Sequence, residues 1–372
     1  MNPLTRCLLG SLLGSISMAV ALGAIAPQIA VSAELFAQAT PQNNPKLNDL
    51  LERGRKLVDA GQIDNAILVY IEAAGLDPSN PMIFSGIAYL EGLRGNYQMA
   101  AKFYRDALVL DPKNAAFQYG LGYALARTED FAGAAEAYRK AVGLQPDNLN
   151  AYLGLGVSLF HQGDYANAAQ VYRSVIASDP KNWQAYASLG MALLKQDNAT
   201  QAVQVLKQAA ALAPNEASIQ IKLGAALMKA GDRPGSIAAF ERAAALAPRE
   251  GEIQFQIGEV LRAEDNPEGA LIAYKRALSL QPNLAEANAA IGSIQLQQED
   301  YLGAIISYRR VVEQAPNEPS GYYNLGLALQ GRGGRESQAR AAFETALKLY
   351  QEKGNTEGVK NAETALENLK GK

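Results

Sequence analysis

Proline stands at residues 78, 112, 146, 180, 214, 248, 282 and 316, each 34 residues after the one before. So strict a period marks a chain assembled from copies of one small supersecondary unit, none of which can bury its own apolar faces alone. Most of these prolines close a Leu-x-Pro triplet, as at Leu76-Asp77-Pro78. Proline ends a helix because it has no amide hydrogen and restricts the residue before it. Setting it at unit position 32 gives units starting at 47, 81, 115, 149, 183, 217, 251, 285 and 319.

Within a unit, positions 4, 7, 8 and 11 lie on one face of a first helix, and positions 20, 24 and 27 on one face of a second. Glycine at 8 and alanine at 20 and 27 let helices approach closely, and an aromatic at 24 fills the space between. The chain is 48% apolar and lacks alternating β-branched runs, so the expected fold class is all-α. Tyr152, Leu155, Gly156, Leu159, Ala168, Tyr172 and Pro180, and again Ile257, Gly258, Leu261, Ala270, Tyr274, Ala277 and Pro282, resemble the signature of the tetratricopeptide-repeat (TPR) family. The resemblance covers residues 47–353 and implies an α-solenoid, a right-handed superhelix of nine helix-turn-helix units whose first helices line a concave side. Departures are local: Glu91 and Gln295 at position 11, Val175 and Val311 at position 27, Ser236 for alanine, and one extra residue in the turn Gly331–Glu336.

The ends differ from the repeats. Arg6, the uncharged run Leu8–Ala26 and the small residues of Val31-Ser32-Ala33 read as a signal peptide over residues 1–33. The alternative is an uncleaved anchor through residues 8–26, a run long enough to span a bilayer. The first reading places the chain in the periplasm, exported. Residues 34–46 form a polar linker. Residues 354–372 are expected to cap the array with a helix carrying Val359, Ala362, Leu366 and Leu369 on one face.

Chemistry is narrowly bounded. Net charge is −3, which gives no basic excess for nucleic acid. His161 is the only histidine and Cys7, inside the leader, the only cysteine, so zinc clusters and Ser–His–Asp or Cys–His machinery are excluded. The glycine-rich Gly331-Arg332-Gly333-Gly334 lacks a following Gly-Lys-Ser/Thr and reads as a turn. Asp130, Asp164, Asp232 and Asp300 recur where first helices end and read as caps. No enzyme is expected.

Helical phase puts positions 2, 5, 9, 12 and 13 opposite the core face of the first helix. There the early repeats carry Tyr89, Tyr119, Tyr123 and Phe160, and position 13 carries Arg127, His161, Lys195 and Lys229 in successive units. These residues are expected to form a peptide-binding groove. The competing reading has the tyrosines leaning on neighbouring repeats and the cations complementing helix C-termini. The Lys and Asn or Arg carboxylate clamp of chaperone-binding TPR proteins is missing: those positions hold Leu51/Arg55, Ser85/Tyr89, Tyr119/Tyr123 and Leu153/Val157. Later repeats gather Glu252, Glu259 and Glu286 near Phe255 and Arg262, either an ordinary acidic surface or a site for a hard cation such as Mn²⁺.

Nine units behind a secretory leader, with the start Ala33-Glu34-Leu35-Phe36-Ala37-Gln38, also resemble the periplasmic assembly factors of cyanobacterial photosystem II. That resemblance implies the D1 reaction-centre protein as a partner, and manganese delivery. The alternative is a cell-envelope adaptor for pilus, secretion or outer-membrane assembly.

Overall fold

The computed structural model describes residues 44–370, which form nineteen helices in sequential antiparallel pairs, an all-α TPR solenoid. The expected leader and most of the linker lie outside the described residues. Among the described residues no helix is long and apolar enough to cross a membrane.

The chain divides into two compact units, one ending at Pro214 and the other starting at Asn215. The first holds five pairs: α1 (Pro45–Asp59) with α2 (Ile63–Leu76), α3 (Pro81–Leu93) with α4 (Tyr97–Leu110), α5 (Ala115–Arg127) with α6 (Phe131–Leu144), α7 (Leu149–His161) with α8 (Tyr165–Ser178), and α9 (Trp183–Lys195) with α10 (Ala199–Leu212). The second holds α11 (Ala217–Lys229) with α12 (Arg233–Leu246), α13 (Gly251–Ala263) with α14 (Pro267–Leu280), α15 (Ala285–Gln297) with α16 (Tyr301–Gln314), and α17 (Pro319–Arg332) with α18 (Glu336–Glu352). It closes with α19 (Thr356–Lys370). Within each unit every helix packs on its sequence neighbours. First helices also touch first helices: α3 with α5, α5 with α7 and α7 with α9, then α15 with α17.

The helix boundaries follow from local chemistry. Asp77, before the first periodic proline, is held out of the helical region, with φ −137° and ψ 79°, and α2 stops there. Asp130, Asp164, Asp232 and Asp300 accept backbone N–H groups three residues on at 2.9, 3.3, 3.0 and 3.0 Å, so they are N-caps of α6, α8, α12 and α16. Two boundaries differ from expectation. Asn44 caps the first helix from within the expected linker, so α1 begins at Pro45. The turn of the ninth pair is Gly333–Arg335, with φ +68° and +65° at Gly333 and Gly334, while Gly331 and Arg332 belong to α17.

The core repeats one device. Tyr138, Tyr172, Phe240 and Tyr274, all at position 24, are fully buried. Each ring lies across the glycine at position 8 of its own pair: a Cβ on Gly122, Gly156 or Gly224 would come 2.9, 2.5 or 2.9 Å from the ring of Tyr138, Tyr172 or Phe240. Small residues thus let the paired helices close over an aromatic. At the C-terminal end, Ala365 and Leu369 of α19 join the cluster around Leu329 and Phe343, which would otherwise face water.

Candidate aromatic and cationic face of the first helices

In the first unit the sequence places Tyr89 on α3, Tyr119, Tyr123 and Arg127 on α5, Phe160 and His161 on α7, and Lys195 on α9. Because α3, α5, α7 and α9 touch in series, these side chains occupy neighbouring ridges.

Tyr89 and Tyr123 border a cavity of about 210 Å³ between α3, α4 and α5, with Gly92, Leu93, Tyr97 and Tyr104 among its other lining residues. Tyr97 meets Tyr123 edge to face, ring centroids 6.1 Å apart. The Arg127 guanidinium sits 4.7 Å above the Tyr97 ring. Burial pushes the Tyr89 and Tyr123 hydroxyls up from their ordinary value, so both stay protonated as donors. Tyr119 is half-buried and leans on Tyr138 at 5.8 Å, with its hydroxyl pushed up to about 12 by burial.

Two expectations change. Phe160 is only 9% exposed and packs edge-on against Tyr165 at 5.0 Å, because position 12 turns toward the second helix of its own pair; it is not a groove anchor. His161 stacks flat on Phe131 at 4.3 Å, and burial lowers its pKa against a smaller upward pull from Glu129. It is therefore neutral at pH 7 and leaves the set of cations. Arg127, His161 and Lys195 each end their helix, where a side chain of this kind meets unpaired carbonyls.

A regularity missed in the sequence explains part of the arrangement. Position 17, the first residue of the second helix, is aromatic in Tyr97, Phe131, Tyr165 and Tyr301. Tyr97 receives Arg127, and Phe131 receives His161, each from position 13 of the following pair. Beside them, Gln162 donates to the Phe131 carbonyl and Gln196 to the Tyr165 carbonyl, both at 2.8 Å. Neighbouring repeats are tied together at the same point each time.

In the second unit, Lys229 ends α11 half-buried. The acidic trio is not a metal site: among the described residues no group of three His, Cys, Asp or Glu side chains is placed to hold an ion. Glu259 is 4% exposed and already committed, accepting the Tyr274 hydroxyl at 2.5 Å and pairing with Arg262 at 2.8 Å. Glu252 accepts from Gln256 at 2.7 Å, and Glu286 stands exposed on α15. Burial raises the Glu252 pKa; Gln256 opposes this, and the charges of Glu286 and Glu259 add to it.

Comparison with known proteins agrees with this architecture. A tetratricopeptide-repeat family model matches residues 51–115, 93–148, 119–182, 221–285, 273–319 and 289–354, and a second one matches 159–225. Among solved structures, the Cut9–Hcn1 hetero-tetramer of APC/C is 18% identical with a TM-score of 0.50, over 80% of this chain and 58% of that one. A tetratricopeptide repeat protein from Parabacteroides merdae ATCC 43184 is 15% identical with a TM-score of 0.50, over 77% of this chain and all of that one. YrrB, a TPR protein with an unusual peptide-binding site, is 21% identical with a TM-score of 0.42, over 51% of this chain and 98% of its own. At these identities the likeness is one of fold. With period, paired helices and family match in agreement, the chain belongs to the tetratricopeptide-repeat family.

Proposed function

We propose that this protein is a non-enzymatic scaffold, exported to the periplasm, that holds polypeptide clients on the first-helix face of its N-terminal unit. The observation that supports this reading most is the contact of α3 with α5, which sets half-exposed Tyr89 beside Tyr119, Tyr123 and the cation Arg127, with Lys195 further along the same face on α9. Tyrosine and arginine are the side chains that most often anchor protein interfaces. Export rests on the sequence of residues 1–33 alone.

Affinity capture from an envelope fraction tests the reading, with the parent chain and an Arg127→Glu/Lys195→Glu variant as baits. The parent is expected to enrich a discrete set of polypeptides that the folded variant loses. Enrichment of the D1 protein would make photosystem II biogenesis the working assignment. Pilus, secretion or outer-membrane components would favour an envelope adaptor. Equal capture by both baits would remove this face from the mechanism.

A further inference from the structure

We propose that the cavity between α3, α4 and α5 is a side-chain pocket for one aromatic or leucyl residue of an acidic polypeptide segment, with Arg127 reading the adjacent carboxylate. This rests on the polypeptide-binding reading above and names the chemistry of its ligand.

Size and lining set the apolar part. An apolar cavity of about 150 Å³ accepts a benzene ring, and this one measures about 210 Å³. Its walls are tyrosine rings, Leu93 and the bare backbone edge of Gly92, so it suits a flat or branched apolar group. Leu93 is 54% exposed, an apolar rim that a bound side chain would cover.

Charge sets the rest. Arg127 is exposed and lies over the ring of Tyr97, which in turn meets Tyr123 edge to face. None of the ion pairs among the described residues includes Arg127. A guanidinium placed over the ring of a pocket wall still has N–H donors to offer a carboxylate next to the entering side chain. The face continues from α5 along α7 to α9, where Lys195 ends the helix. A chain lying in the pocket can therefore run on, which favours an internal acidic side chain over a terminal carboxylate.

Gly92 supplies a test that spares the fold. A Cβ there meets only Ala100, at 4.0 Å, an ordinary contact, and replacing a helical glycine favours the helix. Gly92→Leu has room for its Cβ and should carry its side chain into the pocket. Fluorescein-labelled, C-terminally amidated Gly/Ser dodecapeptides would be titrated against the full chain by polarisation, carrying Phe-Asp-Asp, Ala-Asp-Asp or Phe-Asn-Asn at the centre. A fourth peptide would carry Phe-Asn-Asn with a free C-terminal carboxylate.

The Phe-Asp-Asp peptide should bind tightest, with about tenfold loss on Phe→Ala, on Asp→Asn and on Gly92→Leu, each a step of about 1.4 kcal/mol. Arg127→Gln should erase the preference for Asp over Asn while keeping that for Phe over Ala. Best binding by the free-carboxylate peptide would overturn the internal-acid assignment. Equal affinity for Phe and Ala peptides, undiminished binding to Gly92→Leu, or no saturable binding of any peptide would overturn the pocket itself. The scaffold reading fails separately, when client capture is indifferent to Arg127 and Lys195.

Discussion

The Tyr274 hydroxyl donates to the buried carboxylate of Glu259, whereas Tyr138, at the same position of its own repeat, has no hydrogen-bond partner for its hydroxyl among the described residues. One repeated aromatic position therefore carries two different energetic roles. Tyr274→Phe strips Glu259 of a charge-assisted bond and should cost about 1.5–3 kcal/mol. Tyr138→Phe removes an unsatisfied buried group and should range from neutral to about 1 kcal/mol more stable. Urea denaturation of both variants, followed by circular dichroism, checks the pair.

A second prediction concerns the turn inside each pair. Position 15 adopts the left-handed conformation throughout: Gly61, Gly95, Gly163 and Gly231 do so freely, while Glu129, Asp197, Asp265 and Glu299 hold φ of 63°, 60°, 58° and 57°. A side chain there costs roughly 1 kcal/mol. Exposed Glu299 is the cleanest test, and Glu299→Gly should raise stability by about that amount in a thermal melt. An unchanged or lower midpoint would show that the glutamate compensates its own strain.

The close approach of Tyr172 to Gly156 gives a third. A methyl group at Gly156 would sit 2.5 Å from the ring, which is closed in on all sides, so Gly156→Ala should destabilise by about 1–3 kcal/mol. Gly143, with nothing within 4 Å of an added Cβ, provides the control, and Gly143→Ala should be neutral or stabilising.

Glu252 gives a prediction in pH. Its raised pKa means that the folded state binds a proton more tightly than the unfolded chain. Stability from this group is therefore present at low pH and lost as pH rises from the unfolded value through the folded one. Glu252→Gln, which can still accept from Gln256, should be more stable than the parent at pH 7, and the gain should vanish below the unfolded carboxylate range, about pH 4. A loss of stability at neutral pH would mean that the carboxylate is compensated after all.

Much of the fold was legible in residue spacing. The prolines marked the end of the first eight second helices, and the aspartates before α6, α8, α12 and α16 were caps, because both effects are local to a few residues. The face was legible only in part. Helical phase placed Tyr89 and Tyr123 on the outer side of their helices, but phase says nothing about what the preceding repeat lays against them. Tyr97 is the missing wall of the cavity, and only a comparison of position 17 across repeats would have flagged it. The same blindness made His161 look like a cation, when Phe131 covers its ring, and Phe160 an anchor, when Tyr165 buries it. Glu259 looked like a surface ligand because its partner Tyr274 lies on the other helix of the pair, outside any single-helix projection.

Polypeptide clients are proposed to lie on the first-helix face of the N-terminal unit. Site-specific photocrosslinking reads this directly, with benzoylphenylalanine replacing Tyr123 on that face or Val109 on α4, which is 81% exposed. Client adducts are expected from position 123, lost on Gly92→Leu, and none above background from position 109. Adducts from position 109 with none from position 123 would contradict this placement.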